Sequence, residues 1–282
     1  MSTDDAPRLR MPDLRFVPVD SLVPHEQHDP SRSGPLLELL RGQGILRNPP
    51  VVTPLGEDRF VVLDGANRAT AAAAAGLPHM VVQVVSYDDP GVRLTTWHHA
   101  LSDFPADRLE RALDAIPDLA CLSTDLNHAR AVLARREAIA VVALPGARAL
   151  ALYGGTGLTE RNAVLNGVVD GYRARTRFYR WASDSFADAH AEHGDVTALV
   201  VFPHFEPAEV IEIATSGARL PAGITRHVIA WRALRINMPL EKLADAATPV
   251  EEKNRWLAEW LREKMLQRQV RFYQESTVLL DE

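Results

Sequence analysis

Between Val61 and Pro78 the chain reads VVLDGANRATAAAAAGLP, and this stretch limits the fold more tightly than any other. An apolar run stops at Asp64, one glycine follows, and Ala-Asn-Arg leads into an alanine-rich segment closed by Gly76. The pattern predicts a strand that turns sharply into a helix. A helix start leaves main-chain N–H groups without partners and carries partial positive charge, so such a junction is a natural seat for phosphate. Gly65 permits the tight turn and the close approach of a ligand. Arg68, in the first helical turn, can grip phosphate oxygens through two parallel hydrogen bonds. Asn67 can cap the helix or donate to a phosphate, and Asp64 can hold a divalent cation or align a hydroxyl. The alanines at 69 and 71–75 let the helix lie close against a sheet. The same residues also fit a plain strand–turn–helix connection, so the turn by itself assigns no chemistry.

Around this junction the periodicities predict a compact α/β unit. Arg15–Glu26 begins as a short strand carrying Phe16, Val17 and Val19 and breaks at Pro24, and a polar loop covers 27–34. Leucines at 36, 37, 39 and 40, with Pro35 ahead and Gly42 and Gly44 behind, predict a short helix over 35–45. Val51–Val52 and Arg59–Leu63 flank a Gly-Glu-Asp turn as a hairpin, and Met80–Tyr87 reads as a further strand. From Pro105 the pattern changes. Residues 105–140 favour helix passing into strand, LTERNAVLNGVVDGYRART predicts a helix, and TALVVFPHF a strand. PAEVIEIATSGARLP predicts a helix closed by Gly217, and ITRHVIAWRAL a strand or buried segment. Trp256, Leu257, Trp260, Leu261, Met265 and Leu266 recur at helical spacing in a C-terminal helix over 250–280 that docks onto its own domain. Residues 1–13 read as a frayed arm. The expected organisation is two domains, 1–104 and 105–282, of mixed α/β (α+β) class.

Composition narrows the function. The chain has 282 residues with net charge −6, and no strongly basic helix stands out as a reader of DNA, so nucleic acid is not an expected partner. Its single cysteine, Cys121, excludes an internal disulfide and a Cys-rich zinc site and reads as a small buried residue. No apolar run approaches the roughly 20 residues that span a bilayer, and the N-terminus lacks an apolar signal core. The expectation is a soluble cytoplasmic protein with no membrane partner, monomeric or homodimeric. His98 and His99 invite a metal, but neighbours in an extended segment point to opposite sides. Tyr153–Leu158, glycine-rich but without a lysine, reads as a plain turn, and His204 as structural.

The order LVPHE, then GIL-RNPPVV, then VVLDGANRATAA resembles the N-terminal module of the ParB/sulfiredoxin-like superfamily. Sulfiredoxin carries Gly-Gly-Cys-His-Arg at this turn; Ala66 stands at the cysteine position, which excludes that chemistry. The branch most similar is that of free L-serine kinases, whose turn reads Asp-Gly-His-His-Arg. Four further features carry the resemblance: Pro24-His25-Glu26, Trp97 about thirty residues after the turn, Thr225-Arg226-His227, and RALRINMPLEKL over 232–243. The resemblance implies transfer of the terminal phosphate of ADP or ATP, with Mg2+, to the hydroxyl of free L-serine. It implies Glu26 as the base and Asp64 as a catalytic residue and Mg2+ contact. Gly65, Ala66, Asn67 and Arg68 would hold phosphate, His25 would contact phosphate or orient Glu26, Gly44–Pro50 would line the nucleoside, and Trp97, Thr225, Arg226 and His227 would bind the amino acid. The chain departs from the branch at Ala66-Asn67, where its relatives have two histidines. Two other readings stand beside this one: a ParB-like nucleotide-dependent DNA-binding regulator, and a kinase for threonine or another hydroxy amino acid.

Overall fold

The computed structural model describes residues 10–28 and 30–273, the side chains of 30–33 excepted. The first stretch runs through β1 (Asp13–Pro18), β2 (Leu22–Pro24), α1 (Pro30–Gln43), β3 (Ile45–Leu46), β4 (Val51–Leu55), β5 (Arg59–Asp64), α2 (Ala66–Ala74) and β6 (His79–Val84). A five-stranded sheet has the order β1–β6–β4–β5–β2. β1 runs antiparallel to β6, whereas β4 is parallel to β6 and antiparallel to β5. Val51, Val52, Val61, Val62, Val81 and Val82 are buried, as expected of stiff β-branched side chains in a covered sheet. α2 lies close to this core because its inward residues are small: Ala69 packs with Val17, Val52, Val62 and Val82, and Ala72 with Phe16, Leu40 and Met80. α1 differs from expectation. It opens at Pro30, inside the predicted polar loop, and carries Pro35 in its interior. A first-turn residue needs no N–H, so Pro30 can start the helix, and Pro35 forgoes one main-chain bond.

The middle of the chain forms β7 (Val92–Thr96), β8 (His98–Ser102), α3 (Ala106–Asp114), β9 (Ala120–Asp125), α4 (Leu126–Ala134), β10 (Ala140–Ala143) and β11 (Arg148–Tyr153). It continues as α5 (Leu158–Arg173), β12 (Phe178–Trp181), α6 (Phe186–Glu192), β13 (Val196–Val201), α7 (Pro207–Ser216) and β14 (Thr225–Ile229). A six-stranded sheet has the order β12–β8–β13–β10–β11–β9, and β14 pairs with β7 in a two-stranded sheet. β9 corrects the helical expectation for 105–140. Its residues gain a ladder with β11, from Arg148↔Asp125 to Tyr153↔Ala120, that local propensity cannot foresee. Cys121 lies on this edge strand and is half-buried rather than buried. Burial and the carboxylates of Asp114 and Glu110 push its thiol up to about 11.

The chain then adds β15 (Met238–Pro239), α8 (Leu240–Ala244) and α9 (Val250–Leu266). Met238, Leu243 and Leu257 join Phe16, Leu40, Leu46 and Met80 in one hydrophobic cluster. Asn254 of α9 accepts the Phe16 N–H (2.7 Å) and donates to the Phe16 carbonyl (3.0 Å), fixing the helix on β1. α9 stops well before residue 280. Arg268 turns left-handed (φ 57°), and the expected helical residues beyond 273 lie outside the described ones. Of the expected arm, 1–9 are likewise outside them, while Arg10 pairs with Asp89 at 2.8 Å. Among the described residues no helix is long and apolar enough to cross a membrane.

Contacts divide the chain into two compact units. One comprises the chain up to Val23, Pro30–Val92 and the residues from Ile229 on; the other comprises the short stretch from Pro24 and Arg93–Val228. The expected cut after residue 104 follows chain order, whereas these units follow burial. The C-terminal segment returns to complete the first unit's core, and Glu26 forms a parallel bridge with Leu220 inside the second. Lys253 tests the return. It is 3% exposed, and its Nζ donates to the Lys242 carbonyl (2.7 Å) and the Asp245 carbonyl and meets His79 Nδ1 at 3.0 Å. Lys253→Met strands those acceptors, and we expect urea unfolding to show a loss of about 1–3 kcal/mol; an unchanged midpoint would contradict the role.

Candidate active site

In the first unit, β5 ends at Asp64 and α2 begins at Ala66, with Gly65 at φ 92° between them. Glycine is required there twice over. The backbone is left-handed, and an added Cβ would sit 3.0 Å from Pro50 Cα and 3.2 Å from Arg68 Nε. The N-cap of α2 is Gly65 itself, which has no side chain to offer. The Arg68 guanidinium, 15% exposed, donates from Nη1 to the Asn48 carbonyl (3.1 Å) and from Nη2 to Asp64 Oδ2 (3.1 Å). A second guanidinium, Arg232, reaches the same Oδ2 at 2.5 Å and touches the Pro49 carbonyl at 3.4 Å. Two cations thus share one half-exposed carboxylate at the positive end of a helix. The arrangement suits an anion with several oxygens.

Arg232 is carried by a strained strap. Trp231, Arg235 and Asn237 all have positive φ (58°, 52° and 49°). Buried Gln83 pins the strap, donating to the Trp231 carbonyl (3.1 Å) and accepting the Ala233 N–H (2.8 Å), while Asn48 Oδ1 accepts the Arg235 N–H (2.8 Å). Sequence reasoning placed Arg232 in the RALRINMPLEKL stretch but gave it no function. Its advance signals were its place at the head of that stretch and an expected polar setting, neither of which names Asp64 as its partner.

In the second unit, Glu26 is seated by a loop ahead of β14. Its Oε1 accepts the Thr225 N–H (2.6 Å) and the Thr225 hydroxyl (2.5 Å), and its Oε2 accepts the Gly223 N–H (2.8 Å). Flanking main-chain bonds, Gln27 N–H to the Leu220 carbonyl and Leu220 N–H to the His25 carbonyl, both 2.8 Å, hold the two segments together. Gly223 is left-handed (φ 77°), and any Cβ there would meet the Arg180 guanidinium at 2.4 Å. Half-buried Trp97 stacks under the Arg226 guanidinium, 4.3 Å from its ring centre, and Thr95 Oγ1 donates to the Arg226 carbonyl (3.1 Å). The pair forms a partly open cation–aromatic wall.

Two expected site residues bond to protein partners. His25, expected to contact phosphate or to orient Glu26, is 2% exposed, its Nε2 lies 2.8 Å from Thr225 Oγ1, and its ring meets His227 edge-on at 5.5 Å. Thr225 was expected on a substrate carboxylate, but its hydroxyl is spent on Glu26. Ala66 and Asn67 are half-buried at the start of α2. His98 Nδ1 accepts the Phe202 N–H (3.2 Å), and His99 stacks on Phe178 at 4.1 Å and bonds the Tyr172 hydroxyl (2.6 Å). Burial pushes the two histidines down to about 4 and about 3, so both are neutral core residues at pH 7.

No known family profile matches the sequence. Curated relatives align along most of the chain. The ATP-dependent L-serine kinase of Staphylothermus marinus is 26% identical over 232 residues, 81% of this chain and 90% of its own. The ADP-dependent L-serine kinase SerK of Thermococcus kodakarensis is 25% identical over 86% of this chain and 100% of its own. The ATP-dependent L-serine kinase SbnI of Staphylococcus aureus is 24% identical over 95% and 97%. Among solved structures, a free serine kinase in complex with AMP superposes with a TM-score of 0.71 at 20% identity, covering 86% of this chain and 98% of its own. C-terminally truncated SbnI gives 0.71 at 23% identity, covering 89% and 97%. The fold of this chain is that of these kinases. The arginine-flanked turn generates its own prediction: Arg232→Ala should weaken pyrophosphate binding about 10- to 100-fold, the loss of one charge-assisted bond. Calorimetric titration showing equal affinity would remove Arg232 from the anion seat.

Proposed function

We propose that this chain, built on the free serine kinase fold, transfers the terminal phosphate of ADP or ATP to the hydroxyl of free L-serine, giving O-phospho-L-serine. The observation that carries the reading is Glu26, a carboxylate fixed by three donors in the unit that also presents Trp97 and Arg226. Relatives named L-serine kinases, aligned over 81–95% of the chain, support the acceptor and the donor. Glu26 accepts the serine hydroxyl proton as that oxygen forms a bond to the terminal phosphorus and the bond to the bridging oxygen breaks. AMP or ADP leaves with the electron pair. Phosphoryl transfer depends mainly on positioning and charge neutralisation, so the base contributes about 10²–10⁴-fold.

The first unit supplies the phosphate seat. Gly65, Ala66 and Asn67 form the turn, and Arg68 and Arg232 exchange their hold on Asp64 for phosphate oxygens. Asn48 and Pro49, within the segment assigned to the nucleoside, already contact these guanidiniums. The second unit supplies the base and the amino-acid contacts: Trp97 packs on the small substrate, Arg226 pairs with its carboxylate, and His227 completes the pocket. The turn and its sheet are also what supports the ParB/sulfiredoxin-like reading of the N-terminal module.

Mg2+ fits this seat in one way. Among the described residues no three His, Cys, Asp or Glu side chains gather to hold a metal. Mg2+ is commonly bound by one or two carboxylates, waters and substrate phosphates. The half-exposed Asp64 carboxylate would hold the ion that arrives with the nucleotide, which would neutralise phosphate charge.

Mass analysis of wild type incubated with ADP or ATP, Mg2+ and a panel of hydroxy amino acids should show phosphoserine. Glu26→Gln should form about 10²–10⁴-fold less while still binding nucleotide. Undiminished turnover in that variant would remove Glu26 as the base, and product only from another amino acid would displace serine. A chelator should stop turnover, and excess Mg2+ should restore it; turnover that survives the chelator would exclude the metal.

A further inference from the structure

The hydrogen bonds around Glu26 have a direction that identifies a device behind the base. Thr225 has one hydroxyl proton, and Oγ1 donates it to Glu26 Oε1 at 2.5 Å. The same Oγ1 lies 2.8 Å from His25 Nε2, so it must accept there, and His25 must carry its proton on Nε2. His25 is 2% exposed and Thr225 8% exposed, so neither group can substitute bulk water for the other. Among the described residues, Glu26 Oε1 then receives two donors, the Thr225 N–H and hydroxyl, whereas Oε2 receives one, the Gly223 N–H. Each carboxylate oxygen offers about two acceptor sites, so Oε1 is filled and Oε2 keeps one open.

We infer that Thr225 is a positioning residue for Glu26, locked by the buried His25 imidazole, and that Glu26 Oε2 is the oxygen that takes the substrate proton. The chain His25 Nε2–H, Thr225 Oγ1–H, Glu26 Oε1 fixes rotation of the carboxylate about its last bond. The Gly223 N–H fixes it from the other side, at a left-handed position where any side chain would run into the Arg180 guanidinium. Without Thr225 the carboxylate keeps two main-chain donors but loses the hydroxyl that closes Oε1. Oε1 then competes with Oε2 for the substrate proton in a geometry that does not match the attacking oxygen. This assignment removes Thr225 from carboxylate recognition and leaves that contact to Arg226 beside Trp97. The inference rests on the serine kinase reading for its chemistry, but the hydrogen-bond chain can be examined without it.

Thr225→Val keeps the shape and deletes the hydroxyl. With ADP or ATP and L-serine, kcat should fall about 10²-fold, the scale of a misplaced reacting group, with KM for serine nearly unchanged. Thr225→Ser should recover most of the lost kcat. Nitrogen-15 NMR of the wild-type His25 ring should show the proton on Nε2, a readout that needs no turnover. A raised KM with intact kcat in Thr225→Val would return Thr225 to substrate recognition and overturn the inference. So would a failure of serine to rescue, or a His25 ring protonated only on Nδ1. If wild type forms no phosphoserine, the functional reading falls, and the tautomer still decides whether the hydrogen-bond chain exists.

Discussion

One carboxylate oxygen, Asp64 Oδ2, holds two guanidiniums, and the account of the first unit depends on that convergence. As a contribution to stability it is minor, because ion pairs at a half-exposed carboxylate are worth about 0–1 kcal/mol. The strap that delivers Arg232 is expensive by comparison, since three non-glycine residues in left-handed backbone each cost on the order of 1–3 kcal/mol. A strained segment pinned by buried Gln83 to place one arginine makes little sense as scaffolding. Under the proposed function it is preorganisation: both guanidiniums would already be held at the helix start when a phosphate binds, so binding need not order them.

The second unit solves a different problem. The base proposed here, Glu26, has to be fixed in direction, and a glutamate on a polar loop has free torsions to lose. Here that loss occurs on folding. The His25–Gln27 segment bridges to Leu220, and Gly223 and Thr225 then present two main-chain N–H groups and one hydroxyl to the carboxylate. The neighbouring wall of Trp97 and Arg226 combines an apolar face with a cation, the two properties a free amino acid offers a partner for.

What could be read from the sequence follows the reach of the forces involved. The β4–β5 hairpin, the Gly65 turn and the alanine helix were legible because turn chemistry and helix periodicity act over a few residues. The start of α1 was misplaced because Pro35 reads as a beginning and Pro30 as a loop residue, and only the packed chain shows which one opens the helix. β9 was hidden because its identity lies in its pairing with β11. The site divides in the same way. Glu26, Asp64 and Arg68 stand in short recognisable contexts. Arg232 meets Asp64 across 168 residues, and Thr225 meets Glu26 across 199, so their partners could not be named from local pattern. His25 stayed between phosphate and the orientation of Glu26 for the same reason: its partner Thr225 lies 200 residues away.

The central claim is that the Asp64–Arg68 turn is a phosphate seat assembled in advance. A crystal structure with ADP and Mg2+ tests it most directly. The account predicts phosphate oxygens within hydrogen-bond distance of the Arg68 and Arg232 guanidiniums and of the first N–H groups of α2, with at least one guanidinium released from Asp64. A nucleotide bound elsewhere, with both guanidiniums still closed on Asp64, would contradict it.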